Sequence, residues 1–315
     1  MTTMHTAVRP STLAAIGSTP LVRLSKLVTP EMADVLVKLE YFNPTGSYKD
    51  RMALAMIEEA EARGDLRPGM TVVEYTGGST GSSLAFVCAV KGYPFKVVSS
   101  DAFAREKLQT MRAFGADVLI VPSPSGKITP DLIPQMQEEA RKLAQQPGVY
   151  WTDQFNNRDA LAGYEGIGRE LAEQAGRPID VFCGGVGVGG MLLGVAQALK
   201  AAGSTARIVA LEPAGSPVLT TGKPGAHHVE GIGVGFVPPM LTSGSYDEVR
   251  AIDEDEARQT SRRLAREEGI FAGTSTGLNV TAALALAREL GPGKTVATVA
   301  VDTGLKYLAG DLYTT

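Results

Sequence analysis

"IDVFCGGVGVGGMLLGVAQALK", residues 179–200, passes from a short apolar strand through a cluster of glycines into a helical pattern. The same rhythm recurs on both sides of it. Short runs rich in Val, Ile and Leu are expected as strands at 35–42, 71–76, 95–100, 116–123, 179–186, 207–213 and 294–302. Apolar residues at helical spacing predict helices at 49–63, 82–91, 104–114, 158–175, 191–202, 254–268 and 278–290. Strands alternating with helices mean βαβ units, and so parallel-rich sheets covered on both faces. The Gly-, Pro- and Ser-rich stretch 214–250 interrupts this order as a long functional loop or a flap. Two βα series lie either side of "VYWTDQFNN" (149–157), which predicts a boundary near 155.

Composition narrows the function. A chain of 315 residues with 44% apolar and 20% charged residues can bury a large core in two domains or one large α/β unit. A net charge of −4 with no basic block argues against nucleic-acid binding. No uninterrupted apolar run is long enough to span a membrane. The opening "MTTMHTAVRP" lacks an apolar signal core and reads as a short tail. Cys88 and Cys183 sit in apolar company and fit neither a zinc site nor a disulfide framework, as expected of free thiols in a reducing cytoplasm. With only His5, His227 and His228 available, a histidine metal site and a Ser-His-Asp machine are both disfavoured.

Three glycine turns each follow or precede a regular element: "EYTGGSTGSS" (74–83), "GGVGVGGMLLG" (184–194) and "FAGTSTGLN" (271–279). Each opens a helix, where unpaired N–H groups and the positive dipole end can cradle an anion. A single such turn is an ordinary βα connection; three suggest a ligand with several polar ends. Gly185, Gly187 and Gly190 also spell G-x-G-x-x-G, and Glu212 ends the next strand, which satisfies a dinucleotide fingerprint. In "EYFNPTGSYKDRM" (40–52), Ser47 and Asp50 form an S-x-x-D capping pattern at the start of a helix. Lys49 between them is either a solvated first-turn charge paired with Asp50 or an amine whose ammonium form is disfavoured by the helix dipole and burial. Pattern alone leaves both readings open.

On these residues the chain resembles the cysteine synthase and cystathionine β-synthase family, whose members are pyridoxal-phosphate enzymes of the tryptophan-synthase-β fold (fold type II). "GSTPLVRL" (17–24), "KLEYFNPTGSYKDR" (38–51), "GVGVGGMLLG" (185–194), "SPVLTTGKPGAHHVEGIGVGFVP" (216–238), "EEGIFAGTSTG" (267–277) and "DTGLKYL" (302–308) match its motifs in order. The resemblance implies a two-domain α/β enzyme, with a smaller mobile substrate-binding domain at 45–155. A larger cofactor-binding domain would comprise 1–44 and 156–315. It implies that Lys49 holds the coenzyme as an imine and shuttles the substrate's α-proton. Backbone N–H groups of Gly187, Val188, Gly189, Gly190 and Met191 would grip the phosphate, and Ser275 would face the pyridine nitrogen. Thr76, Gly77, Gly78, Thr80 and Gly81 would bind the substrate carboxylate, with Gln154 as a further donor. Ser79 would lie at the coenzyme's 3-oxygen.

The implied reaction is β-replacement on an O-activated serine, most simply O-acetylserine with sulfide, through an aminoacrylate intermediate to L-cysteine. Alternatives are another donor or nucleophile, such as homocysteine or an amine, a serine or threonine dehydratase, or a catalytically idle cofactor-binding partner protein. The resemblance also implies a cytoplasmic homodimer. The chain departs from the family at the carboxylate loop, where "TGGSTG" (76–81) stands for T-S-G-N-T-G, and at Val188 and Met191, which replace threonines. "DQFNNRDALAGY" (153–164) is one residue short. The His227–His228 pair reads as a polar piece of a loop; Tyr41, Phe42 and Trp151 read as packing.

Overall fold

The computed structural model describes residues 8–124, 129, 131–242 and 244–314; His5 and the rest of the expected tail at 1–7 lie outside them. The strands form two sheets. The first has the order β1-β2-β10-β7-β8-β9, built from β1 (Leu21–Arg23), β2 (Asp34–Leu39), β7 (Val181–Gly185), β8 (Arg207–Pro213), β9 (Glu248–Ile252) and β10 (Thr295–Ala300). Among the described pairings only β1 runs antiparallel. The second sheet, order β5-β4-β3-β6, is parallel throughout and comes from β3 (Thr71–Tyr75), β4 (Phe95–Ser100), β5 (Asp117–Val121) and β6 (Val149–Trp151). Thus the fold is α/β with parallel-rich sheets flanked by helices, as expected.

Why both sheets read as apolar runs is visible in the packing. On β7, Phe182 turns toward α5 (Ala160–Gln174) and α6 (Gly190–Ala201), and packs in one core with Tyr164, Leu192 and Val195. Its neighbours Val181 and Cys183 turn to the other face and meet Leu278, Ala282 and Leu286 of α9 (Thr274–Leu290). A strand covered on both faces has no polar side to alternate with. The first core continues through α1 (Lys49–Arg63) and α2 (Ser79–Lys91) into the second sheet, where Val72 and Val97 join it. The far face of that sheet is closed by Leu132, Met136 and Ala140 of α4 (Leu132–Ala144).

Several elements differ from expectation. α4, β1, β6 and β9 go beyond the sequence expectation; β9 begins inside the stretch expected as a loop or flap and runs two residues past its end. Its sequence "EVRAI" carries charges because it is an edge strand, with Glu248 and Arg250 paired to each other and to Arg207 and Glu289. The same stretch also forms the short α7 (Val218–Thr221). Helices α2 and α9 start at Ser79 and Thr274, earlier than the expected 82 and 278. Their first turns consist of Gly, Ser and Thr, which carry no apolar periodicity, so the pattern begins only where side chains reach the core. α3 (Arg105–Ala113) matches its expected span, while the pattern at 254–268 divides into α8 (Glu254–Arg263) and a π-helical turn at Leu264–Glu268. Among the described residues no helix is long and apolar enough to cross a membrane.

Candidate active site

Lys49 is the first residue of α1 and is only 9% exposed. Its turn is pinned to the end of β10: Tyr48 N–H donates to Val301 O (3.1 Å) and Thr303 N–H to Gly46 O (2.9 Å). The expected S-x-x-D cap is absent. Tyr48 is the N-cap, and Ser47 Oγ accepts from Lys49 N–H at 3.2 Å instead. Asp50 is turned back to Thr45, accepting from its N–H (2.8 Å) and hydroxyl (2.5 Å). That leaves the Lys49 amine without a carboxylate partner among the described residues. It lies 4.0 Å from Met52 Sδ and over the rings of Tyr48 and Tyr164, with centroids at 5.3 and 5.9 Å. Burial brings the ammonium down to about 8, against an opposing pull from Glu74.

Glu74, not singled out from the sequence, is fully buried on β3. Burial pushes its carboxyl up to about 7, while Thr152 Oγ1 (2.7 Å), Tyr75 N–H (2.8 Å) and Gln154 N–H (3.0 Å) donate to it. Asp153 adopts a left-handed backbone (φ 44) just before Gln154, a strained conformation for a non-glycine residue. Together they turn Gln154 inward. Its Oε1 accepts from Thr80 Oγ1 at 2.9 Å, so two expected substrate-loop residues meet. Thr76, Gly77, Gly78 and Ser79 are half-buried around the same turn, whereas Thr80 and Gly81 are buried in the first turn of α2.

The middle glycine turn precedes α6, with Gly189 as N-cap at φ +86, a left-handed conformation natural only to glycine. A Cβ at Gly187 would lie 2.4 Å from Gly231 O, so the turn fits tightly against the 216–238 segment. Among the described residues, the N–H groups of Gly187, Val188 and Gly189 have no backbone or side-chain acceptor. Those of Gly190 and Met191 open the helix, where no intrahelical acceptor exists. Asn279 braces the turn from below: its Oδ1 accepts from Gly185 N–H at 2.8 Å and its Nδ2 donates to Val299 O at 2.9 Å. The side chains of Val188 and Met191 are buried, so these two positions offer a ligand backbone only. Glu212 argues against the dinucleotide alternative. Its buried carboxylate accepts from Leu219 N–H (2.6 Å) and Thr220 N–H (3.0 Å), capping α7.

Ser275 lies in the first turn of α9, 2% exposed as a residue, and its hydroxyl makes no hydrogen bond found among the described residues. A buried amine of lowered basicity, an N–H cradle with open donors and a serine hydroxyl at the start of α9 suit a phosphorylated aldehyde with a ring nitrogen. The residues present therefore fit pyridoxal phosphate.

Ser79 is engaged by groups that the sequence did not connect to it. Lys306 Nζ donates to its Oγ at 3.1 Å, and Asp302 lies at 3.4 Å from the same oxygen. Tyr307 OH donates to Asp302 (2.9 Å). Next to this cluster Lys107 of α3 forms an ion pair with Glu230. His227 pins the 216–238 segment: Val229 N–H donates to Nδ1, so Nε2 carries the proton toward Gly233 O at 2.8 Å. His228 is exposed beside Glu254. Trp151 packs as expected, near Glu74 and Tyr75, but Phe42 is 58% exposed and only stacks on Tyr41.

A match to the pyridoxal-phosphate dependent enzyme family spans residues 12–302. A cysteine synthase from Staphylococcus aureus is 44% identical over 300 residues, covering 95% of each chain. An O-ureido-L-serine synthase from Streptomyces lavendulae is 41% identical over 306 residues, covering 96% of this chain and 92% of its own. Among solved structures, the cysteine synthase of Entamoeba histolytica superposes with a TM-score of 0.93 at 31% identity, covering 100% of this chain and 94% of its own. By this match and these relatives, the chain belongs to the pyridoxal-phosphate dependent enzyme family.

Proposed function

We propose that the protein catalyses β-replacement on an O-activated L-serine, most simply O-acetylserine with sulfide to give L-cysteine. The observation that carries this reading is Lys49, a buried amine at the head of α1 that burial brings down to about 8 and that forms no ion pair among the described residues. At neutral pH a useful fraction of it is a free base, able to attack an aldehyde and to take and return the α-proton of an amino acid. Pyridoxal phosphate, when bound, supplies an electron sink for the α-carbon. The N–H groups of Gly187 to Met191 hold its phosphate, and the Ser275 hydroxyl gives the ring nitrogen a neutral partner. Such a partner does not force protonation of that nitrogen, which suits loss of a β-substituent more than transamination. Thr76, Gly77, Gly78, Thr80 and Gly81 bind the substrate carboxylate, with Gln154 kept in place by Glu74. Ser79, to which Lys306 Nζ donates at 3.1 Å, would serve the coenzyme's 3-oxygen.

The same reading gives residues 45–155 as a smaller mobile domain that closes on the substrate and excludes water. All four strands of the second sheet fall within that range, which supports the division. A cytoplasmic homodimer is the accompanying assembly. Two buried free thiols suit a reducing compartment, and exposed Phe42, Leu305 and Leu308 offer apolar contact area.

Lys49→Ala tests the core of this. The variant should lose turnover of O-acetylserine with sulfide and lose borohydride-dependent fixation of the coenzyme to the protein. Turnover persisting in the variant, with coenzyme fixed at another lysine, refutes the assignment. Parallel assays with homocysteine and small amines distinguish the nucleophile.

A further inference from the structure

The Lys49 amine and the N–H cradle serve opposite ends of one coenzyme, yet they open two different helices, α1 and α6. The helix that contacts both is α5, and glycines bring it against the backbone of each. A Cβ built at Gly163 of α5 would lie 2.2 Å from Arg51 O on α1. One at Gly168 would lie 2.8 Å from Val195 O on α6. One at Gly194 of α6 would lie 2.7 Å from Tyr164 Cβ. None of these distances admits a side chain, so α5 is wedged between its two neighbours without slack.

Tyr164 is the side chain that this wedge encloses. It is fully buried, and it touches the supports of both ends. On the cradle side, a Cβ at Gly190 would lie 3.1 Å from its Cε2 and 3.3 Å from its Cδ2. On the amine side, its hydroxyl donates to Met52 Sδ at 3.4 Å, and the same sulfur lies 4.0 Å from Lys49 Nζ. Lys49 Nζ itself stands 5.9 Å from the ring centroid. The Tyr48 ring packs against it with centroids 5.4 Å apart.

Burial pushes the Tyr164 phenol well above its usual value, so the ring stays neutral and supplies shape rather than a proton. A planar ring held at its edge and its tip has a fixed width, whereas a smaller or flexible side chain lets its surroundings collapse. Width matters here because a ligand held at both ends gains from the second contact only when the spacing matches.

We propose that Tyr164 is a positioning residue that sets the span between the Lys49 amine and the phosphate cradle, so that one coenzyme molecule reaches both at once. This rests on the roles given above to Lys49 and to Gly187 through Met191. The test titrates the full chain, freed of coenzyme, with pyridoxal phosphate, which carries both ends, and with pyridoxal, which carries the aldehyde alone. The readout is the ratio of the two dissociation constants, together with inhibition by inorganic phosphate, which meets the cradle alone. Tyr164→Leu should lower the preference for pyridoxal phosphate about tenfold or more, as a small misplacement of two reacting ends does. Its affinities for pyridoxal and for inorganic phosphate should stay near those of the wild type. Tyr164→Phe keeps the ring and should keep most of the preference. Tyr164→Met refills the space with a flexible chain and should fall as Tyr164→Leu does, which maintains the test if the leucine variant does not fold. Equal weakening of pyridoxal and pyridoxal phosphate, as lost packing alone would cause, overturns the proposal. So does weaker inhibition by inorganic phosphate, or a phenylalanine variant that falls as far as the leucine variant. A wild-type chain that binds pyridoxal as tightly as pyridoxal phosphate, or binds neither, refutes the cradle and Lys49 assignments themselves, and this inference with them.

Discussion

Replacing Lys49 by methionine should make the coenzyme-free protein more stable near neutral pH, while abolishing its chemistry. The amine is buried, and burial brings it from 10.5 to about 8. A shift of that size corresponds to roughly 3 kcal/mol, which the folded chain gives up at pH 7 by holding the group charged in a dry place. The sign follows from the direction. A lysine depressed in the folded state favours folding only above its unfolded value, and that contribution is lost as pH falls through the folded value. The penalty is therefore complete below about pH 8 and disappears as pH approaches 10.5. Methionine has similar length, no charge and a tolerant shape beside Met52, so it avoids the penalty at every pH. Urea unfolding of the stripped wild type and of Lys49→Met would measure it. The variant should gain up to roughly 3 kcal/mol at pH 7, and the gap should narrow steadily between pH 8 and 10. A variant less stable at pH 7, or a gap indifferent to pH, would refute the claim that Lys49 is a strained, functional amine.

Other substitutions reach the same site from its supports. Asn279→Ala leaves Gly185 N–H and Val299 O buried without their partners; urea unfolding should show a loss of roughly 3 kcal/mol, and fluorescence titration should show weaker coenzyme binding. Arg51→Met removes the cation shared by buried Glu40 and half-buried Glu170 and should cost about 3–5 kcal/mol, read from thermal melts. Glu170 is itself influenced first by burial, but Arg51 and Lys38 override that and hold its carboxyl near 2. Its contribution is thus present above pH 4.5 and lost as pH falls toward 2, so Glu170→Gln should flatten the acid limb of a stability–pH curve. Burial pushes the thiols of Cys88 and Cys183 up to about 12; a thiol reagent at pH 8 should label neither in the folded protein and both in urea.

The parts of this molecule that could be read from the sequence are those encoded by neighbours in the chain. The α/β order and the three glycine turns declare themselves within a dozen residues, whereas the pattern around Lys49 left two readings open and Ser275 stood out only through the family resemblance. What escaped reading depends on partners far away. Glu74 looks like an acid misplaced in an apolar strand until Thr152 and Gln154 arrive 78 and 80 residues later. Asn279 looks like an ordinary helix residue until it meets Gly185, 94 positions earlier. Glu212 satisfied a fingerprint by spacing, yet its carboxylate caps the next short helix. The capping pattern at Ser47 failed for a related reason: Asp50 found better donors on Thr45, inside the same Pro/Gly turn.

The departures from the family loop illustrate the limit most clearly. Gly77 and Ser79 are visible as departures in "TGGSTG", but each would read alone as a loss, of a hydroxyl and of an amide. In the fold neither is only a loss. The face left open at 77 is covered by Phe103, and the shorter side chain at 79 is met by Lys306. These two residues come from different parts of the chain, the link after β4 and the turn after β10. Changes at 77 and 79 are therefore tied to 103 and 306, and restoring the loop alone to the family pattern would collide with Phe103 before it recovered any contact. The conformation of the loop is thus a property of those pairs rather than of the loop alone.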